Sequence, residues 1–128
     1  MRRTLWLLGA LSLGAACGGD EPTDGPTPGE LVARLTTTHT EDGALLLRVV
    51  GPVTQVSALG GYRVASSTGG GATMIVVTGN IAGGDLLRLS VPDTRQLSSY
   101  TVEVEQAADR NTFALREPGS YSITLRAQ

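Results

Sequence analysis

YTVEVE at residues 100–105 and YSITLR at residues 121–126 alternate apolar and polar side chains along the chain. Successive side chains of an extended strand point to opposite faces, so this period of two predicts strands that are buried on one face. The side chains predicted to point inward are Tyr100, Val102, Val104, Tyr121, Ile123 and Leu125. The polar side chains between them are predicted to be solvated, and Glu103 or Glu105 can pair with Arg126 if the two strands are neighbours.

Other apolar runs extend the strand pattern. ALLLRVV at residues 44–50 and TMIVVT at residues 73–78 are continuously apolar, which predicts central strands covered on both faces. Further strands are predicted at residues 31–38, 53–58, 62–67 and 86–91. Glycine- and proline-rich pairs, such as those at residues 42–43, 51–52, 79–80 and 83–84, are typical of chain reversals between the strands.

Helical signals are weak. No stretch of about ten residues has the 3.6-residue apolar period of a helix, and residues 93–99 and 106–115 can each hold one helical turn. About eight strands, with turn signals roughly every 8–12 residues, are typical of a sandwich or barrel. We therefore predict an all-β fold, an antiparallel β-sandwich of jelly-roll or immunoglobulin-like type.

Composition excludes several classes of function. The 128 residues allow one domain, and the 10 basic residues, all of them arginine, face 12 acidic residues for a net charge of −2. A protein that binds nucleic acid through a cationic patch needs a basic surface, so this balance argues against that class. The single cysteine excludes an intramolecular disulfide framework and a cysteine-rich zinc site.

The first 16 residues have the layout of a bacterial signal peptide. Arg2 and Arg3 form a positive region, residues 5–13 (LWLLGALSL) are apolar, and small residues follow. As a helix, this apolar run rises only about 14 Å, which is far short of the ~30 Å hydrocarbon core of a membrane. We therefore predict a secretory signal and no membrane span. The arginine pair also resembles a twin-arginine signal, although general secretion is favoured.

The only cysteine, Cys17, directly follows these small residues. Residues 13–17 (LGAAC) resemble the lipobox of bacterial lipoproteins, with Gly14 where the family favours leucine. The resemblance implies that the Cys17 thiol carries a diacylglyceryl group and anchors the protein to a membrane of the cell envelope. Because Gly18 and not aspartate follows the cysteine, the resemblance favours the outer membrane in a bacterium with two membranes. The alternative is an ordinary cleaved signal peptide and a free thiol.

We predict that residues 17–30 comprise the lipidated cysteine and a flexible tether. We predict that residues 31–128 form the β-sandwich domain. Seven of the twelve residues at positions 18–29 (GGDEPTDGPTPG) are glycine or proline, and none is a large apolar residue. Such a segment cannot bury enough apolar surface to offset the entropy lost on ordering. Fully stretched, the tether spans at most ~40 Å, which holds the domain clear of the bilayer.

Part of the domain resembles cohesin-type and related carbohydrate-binding modules. The resemblance covers about residues 43–91 and is carried by the early strand DGALLLRV (42–49) and the later TMIVVTGNIAGGDLLRLSV (73–91). The resemblance implies that the strands at residues 73–78 and 86–91, joined by a glycine-rich turn, form one edge of a jelly-roll sandwich. It implies no functional residue.

The search for catalytic and binding residues finds few candidates. His39 is the only histidine, and although Glu41 and Asp42 lie beside it, one histidine without spaced partners favours a solvated turn over a metal site. No G-x-S-x-G motif is present, and any Ser-His-Asp triad would need the same His39. Calcium would need several carboxylates in one loop, whereas Asp85, Asp93 and Asp109 fall in separate turns.

Tyr62, beside Gly60 and Gly61, is predicted to be the exposed aromatic residue that could stack on a sugar ring. Residues after the signal contain no tryptophan, and this scarcity of aromatic platforms counts against sugar binding. We therefore expect a non-catalytic, lipid-anchored cell-envelope protein whose sandwich binds a protein or serves as a scaffold. The alternative is a carbohydrate- or cell-wall-binding module. No metal, cofactor or nucleic-acid partner is expected.

Overall fold

The structure is a computed structural model that describes residues 25–128, and these residues form an all-β fold. The strands are β1 (Gly29–Thr37), β2 (Asp42–Val50), β3 (Gln55–Ala58), β4 (Arg63–Gly69), β5 (Ala72–Ile81), β6 (Gly84–Val91), β7 (Thr101–Asp109), β8 (Leu115–Arg116) and β9 (Tyr121–Ala127). Short 3₁₀ helices, Thr94–Ser99 and Pro118–Ser120, precede β7 and β9. The predicted signal peptide, Cys17 and most of the predicted tether lie outside the described residues.

The strands form two antiparallel sheets packed face to face, which confirms the predicted β-sandwich. One sheet has four strands in the order β3-β6-β1-β9, and the other has five in the order β4-β5-β2-β7-β8. Every strand pair is antiparallel. The inner faces of the two sheets enclose one core, as the alternation of apolar and polar residues requires.

The core consists of the inward-facing half of each strand. Leu31 and Leu35 of β1, Leu45 and Leu47 of β2, and Leu89 of β6 are at most 1% exposed. Burying a leucine side chain contributes about 1.5–3 kcal/mol relative to leaving it in water, so these residues supply much of the favourable free energy of folding. The inward faces predicted from residues 100–105 and 121–126 are confirmed, since Tyr100, Val104 and Tyr121 are buried and Val102, Ile123 and Leu125 pack on the core.

The prediction that residues 44–50 and 73–78 are covered on both faces is wrong. These residues do lie in interior strands of the five-stranded sheet. However, only their inward side chains are buried, while Leu46 is half-buried and Val76 is 42% exposed on the outer face. The sandwich has two layers, so nothing in the described residues forms a third layer over that face.

Several predicted turns are instead parts of strands. The pair at residues 42–43 begins β2, and the pair at residues 79–80 lies within β5, where Gly79 has a φ of +143°. The strand pair β5 and β6 also differs from the edge that the cohesin resemblance implies. β5 and β6 lie in opposite sheets, and each has a neighbour on both sides.

The two predicted helical turns have opposite outcomes. The first is confirmed, because Thr94–Ser99 is a 3₁₀ helix that begins after Asp93, whose side chain accepts a hydrogen bond from the Arg95 amide. The second is wrong. Residues 106–115 contain the end of β7, a turn and the start of β8, because the polar residues after Asp109 form a hydrogen-bonded reversal.

The first strand begins slightly earlier than predicted. β1 begins at Gly29 and not at Leu31. Before it, the Thr27 amide donates to Asp93 Oδ1 over 3.1 Å, and the Thr94 amide donates to the Thr27 carbonyl over 2.8 Å. The last residues of the predicted tether therefore pack on the sandwich.

The side chain of Tyr100 depends on a glycine. Gly51 has a φ of +123°, and a Cβ added there would lie 2.5 Å from Tyr100 Cδ1. The glycine lets the ring pack on the backbone, while the Tyr100 hydroxyl donates to the Pro52 carbonyl over 2.5 Å. Burial raises the pKa of Tyr100, which keeps the hydroxyl protonated as a donor.

We expect Gly51→Ala to lower the free energy of unfolding by about 2 kcal/mol or more, because alanine disfavours this φ and its methyl group overlaps the Tyr100 ring. Urea denaturation measures the loss. The control is Gly69→Ala, where an added Cβ has no atom within 4 Å, and we expect a change within about 0.5 kcal/mol there. Equal losses in the two variants would contradict the packing role of Gly51.

Candidate functional site

A buried ionic cluster closes one end of the sandwich. Asp42, at the start of β2, is 0% exposed. Its Oδ1 accepts a hydrogen bond from Arg116 Nε over 2.6 Å, and its Oδ2 accepts one from the Tyr121 hydroxyl over 2.5 Å. Because β2 and β9 belong to different sheets, the carboxylate joins the two layers.

Burial determines what this cluster can do. A carboxylate removed from water is costly unless a cation and hydrogen-bond donors compensate it, and Arg116 and Tyr121 supply both. Burial and the neighbouring carboxylate raise the pKa of Tyr121, so its proton stays on the hydroxyl. The hydrogen bond from Arg116 to Asp42 likewise raises the pKa of the guanidinium. Both Asp42 oxygens are engaged and inaccessible, so the group acts as a cross-link.

Asp109 extends the cluster into the turn after β7. Its Oδ2 accepts from Arg116 Nη2 over 2.6 Å, while its Oδ1 accepts from the backbone amides of Thr112 (2.8 Å) and Asn111 (2.7 Å). The hydrogen bonds from these two amides, together with the Thr112 side chain and the charge of Arg116, lower the pKa of Asp109. An aspartate that binds amides two and three residues ahead stabilises a chain reversal, and here it directs the chain from β7 into β8.

The reversal displays an aromatic residue. Phe113 has a φ of +61° and is 79% exposed, and its amide donates to the Asp109 carbonyl over 3.0 Å. A bulky residue in left-handed backbone lowers the stability of the fold by about 1–3 kcal/mol. Because the ring is exposed, apolar burial does not offset this cost. Leu115, two residues later, is 69% exposed.

These two residues border an apolar surface, which we call the outer apolar face. It lies on the solvent side of the five-stranded sheet, where the strand register places Leu46 beside Val76, and Ala108 between Ala44 and Leu115. The complete set is Ala44, Leu46, Val76, Ala108, Phe113 and Leu115. Two adjoining shallow depressions, of about 220 and 350 Å³, run along this surface. Contiguous exposed apolar surface of this kind is typical of binding sites.

The opposite face of the sandwich is charged. Arg126 Nη1 and Nη2 donate to Asp85 over 3.0 and 2.9 Å, and Arg34 lies 3.5 Å from the same carboxylate. Arg126 was expected to pair with Glu103 or Glu105 only if their strands were neighbours, and that condition is not met, because β7 and β9 belong to different sheets. The hydrogen bonds from Arg126 lower the pKa of Asp85.

The carboxylates considered for calcium are each bound by an arginine. Asp85 binds Arg126, Asp109 binds Arg116, and Asp93 Oδ1 lies 3.1 Å from Arg95 Nε. Hydrogen bonds from Arg95 and from the Thr27 amide lower the pKa of Asp93 to about 2. Among residues 25–128, no group of three or more His, Cys, Asp or Glu side chains is arranged to hold a metal ion.

His39 lies in the predicted loop between the first two strands but is half-buried there. Its ring centroid lies 5.4 Å from that of Tyr121. Asp42, the neighbour with which a metal site was considered, already binds Arg116 and Tyr121. His39 therefore packs beside the ionic cluster.

Tyr62 is half-buried, so the prediction that it is the exposed aromatic residue is wrong. Its ring packs against Gly79, where an added Cβ would lie 3.0 Å from Cδ1, and its hydroxyl lies 3.4 Å from the Ala82 amide nitrogen. Its role in sugar binding stays a prediction. Cys17, the predicted lipidation site, lies outside the described residues.

Sequence reasoning missed Phe113 as the exposed ring. Residues 109–112 (DRNT) contain two side chains, Asp109 and Asn111, that favour turns, and this was the available signal for a hairpin with Phe113 at its end. The sequence carried no signal for the positive φ of Phe113, because bulky residues rarely adopt left-handed backbone.

Comparison with known proteins finds no matching family, no matching curated protein and no matching solved structure. Within residues 25–128, no helix has the length and apolar character needed to cross a membrane.

We expect Tyr121→Phe to lower the free energy of unfolding by about 1.5–3 kcal/mol, because it removes a donor from a buried charge and leaves Asp42 with Arg116 alone. Tyr62→Phe is the matched control, since its hydroxyl makes only long contacts of 3.4–3.5 Å with Ala82, and we expect a loss below about 0.5 kcal/mol. Thermal and urea unfolding measure both. Similar losses of unfolding free energy in the two variants would mean that the hydrogen bond from Tyr121 to Asp42 does not stabilise the sandwich.

Proposed function

We propose that this chain is a small, lipid-anchored cell-envelope protein whose β-sandwich is a non-catalytic module that binds a protein partner. The observation that carries the proposal is the outer apolar face, with Phe113 and Leu115 at its border, 79% and 69% exposed. Interfaces between proteins are enriched in aromatic side chains at their centre, and apolar surface exposed on a free domain is stabilised when a partner covers it.

The conformation of Phe113 adds to this argument. The turn holds a bulky residue in left-handed backbone, although asparagine or glycine would fit there with less strain. Folding alone gains little from such a residue, since its ring contributes little to the core. Binding would gain from it, because the turn is tied to the ionic cluster through Asp109 and presents the ring in a defined position.

The anchor is proposed from the lipobox-like residues 13–17. One acyl chain binds a membrane only marginally, whereas the two chains of a diacylglyceryl-cysteine hold a protein stably. The glycine- and proline-rich residues that follow would separate the sandwich from the bilayer. The domain would then lie in the periplasm or at the cell surface, with the outer membrane favoured where two membranes exist.

We expect the mature protein, expressed in a bacterium with its own leader, to begin at Cys17 and to carry two or three acyl chains. Intact mass spectrometry measures this directly. Cys17→Ala is the control, and it is expected to abolish the lipid mass and to release the protein from membrane fractions. An unmodified Cys17 in the mature protein would contradict the anchor and leave a secreted domain with a free thiol.

We expect the double variant Phe113→Asn, Leu115→Thr to give a yield of photo-crosslinked envelope partner that is lower by at least about tenfold. Its stability should be unchanged or higher, because asparagine adopts positive φ readily and neither side chain is buried. The matched control is Thr124→Ala, on the outer face of the four-stranded sheet. Unchanged crosslinking in the double variant would contradict binding through the outer apolar face.

Binding of carbohydrate or cell wall is the second candidate, and the exposed ring of Phe113 favours it because aromatic faces stack on sugars. Pull-down with purified peptidoglycan separates the two candidates. Retention that is lost in both Phe113→Asn and Tyr62→Ala would favour the sugar-binding module. Crosslinking to a protein without retention on peptidoglycan would favour the protein-binding module.

A further inference from the structure

One edge of the five-stranded sheet is open. On the side away from β2, β7 pairs with β8 only at Ala107–Arg116 and Ala108–Leu115. Residues 101–106 of β7 therefore have no strand on that side within the described part of the chain. After β8 the short helix Pro118–Ser120 lies against β7 and borders the groove there, but it forms no ladder with β7, because proline cannot donate to one.

The open edge lies beside a groove between the two sheets. β9 is the end strand of the opposite sheet, and it lies next to β7 across the sandwich. We call the space between them the lateral groove. Its apolar wall consists of Leu97, Val102, Val104, Tyr121, Ile123 and Leu125. The larger of its two parts has a volume of about 440 Å³.

The side chains of β7 define what would fit this edge. Val102 is half-buried and Val104 is buried on the inner face, while Glu103 and Glu105 are exposed. A strand added next to β7 would alternate in the same way. Its inward side chains would enter the lateral groove beside Val102 and Ile123, and its outward side chains would lie beside the two glutamates.

The charge of Glu103 and Glu105 determines which outward side chains an added strand would carry. Opposite charges on neighbouring strands attract. On the side of β7 that pairs with β2, Arg48 is the register partner of Glu103. A basic side chain on an added strand would face Glu103 from its open side. Glu105 lies at a β-bulge between the Leu46 and Leu47 pairs, exposed and without an ion pair among the described residues. A second copy of β7 would instead bring glutamates together, which disfavours self-pairing.

We propose that residues 101–106 of β7 bind an extended segment of a partner protein in which apolar and basic residues alternate, as an added edge strand. Backbone hydrogen bonds would supply affinity, and the lateral groove and the two glutamates would supply specificity. The inference rests on the proposed function, since it names a kind of partner, but it uses a different surface from the outer apolar face.

The test uses a synthetic peptide of about six residues, alternating arginine and valine, matched in length to a typical strand. We expect it to bind the sandwich domain, to protect backbone amides within residues 101–106 from hydrogen exchange, and to bind more weakly at high salt. A peptide alternating glutamate and valine is the control and should not bind. Absence of binding by the arginine peptide, or protection confined to β9 or to Phe113 and Leu115, would overturn the proposal.

Charge reversal makes the test specific. The double variant Glu103→Arg, Glu105→Arg should bind the arginine peptide at least about tenfold more weakly and should gain affinity for the glutamate peptide. Glu30→Arg is the control, because Glu30 lies on the other sheet. Equal affinities of the double variant and the unmodified domain would overturn the role of the two glutamates.

Two further results separate this inference from the proposed function. The variant Phe113→Asn, Leu115→Thr should keep its affinity for the arginine peptide. If that peptide fails to bind while crosslinking in the envelope still depends on Phe113, the proposal of an added strand is contradicted and the proposed protein-binding function is not. Protection of residues 101–106 that rises with protein concentration in the absence of peptide would identify a second copy as the occupant and overturn the proposal.

Discussion

The structure depends on one buried carboxylate. Asp42 is 0% exposed and is held by Arg116 from β8 and Tyr121 from β9. A charge in that position is tolerated only if both donors are present, so the last two strands must dock where their side chains reach it. An ionic requirement, and not apolar burial alone, therefore brings the C-terminal part of the chain onto the sandwich.

Both candidate surfaces adjoin the strands that dock on Asp42, since one includes Leu115 of β8 and the other Tyr121 of β9. Arg116 also binds Asp109, whose carboxylate organises the turn that exposes Phe113 beside the outer apolar face. β8 ends after two residues, because Pro118 cannot extend the ladder, and the chain then crosses to β9 in the other sheet. Within the described residues, residues 101–106 of β7 have no paired strand on the side away from β2. A domain with these two unsatisfied surfaces, held near a membrane by a lipidated Cys17 as we propose, would be suited to assembling with other envelope proteins.

The failures of sequence reasoning share one cause. Residues 106–115 were expected to hold a helical turn, but Asp109 binds the Asn111 and Thr112 amides and also Arg116, and these contacts together stabilise a hairpin. Tyr62 was expected to be exposed because glycines precede it, whereas Gly79, distant in sequence, provides a surface for its ring. Continuous apolar runs suggested cover on both faces, although the number of layers is a property of the whole fold.

The sequence by itself determined the fold class, most strand positions and which face of residues 100–105 and 121–126 points inward, because side-chain alternation is a local property of extended chain. It also carries the whole argument for the lipid anchor, since residues 13–17 are read as a linear motif. The tertiary structure alone decided strand order, the pairing of Asp42 with Arg116 and Tyr121, the exposure of Phe113 and the open edge of β7. Each of these depends on contacts between residues far apart in the chain, which no local pattern encodes.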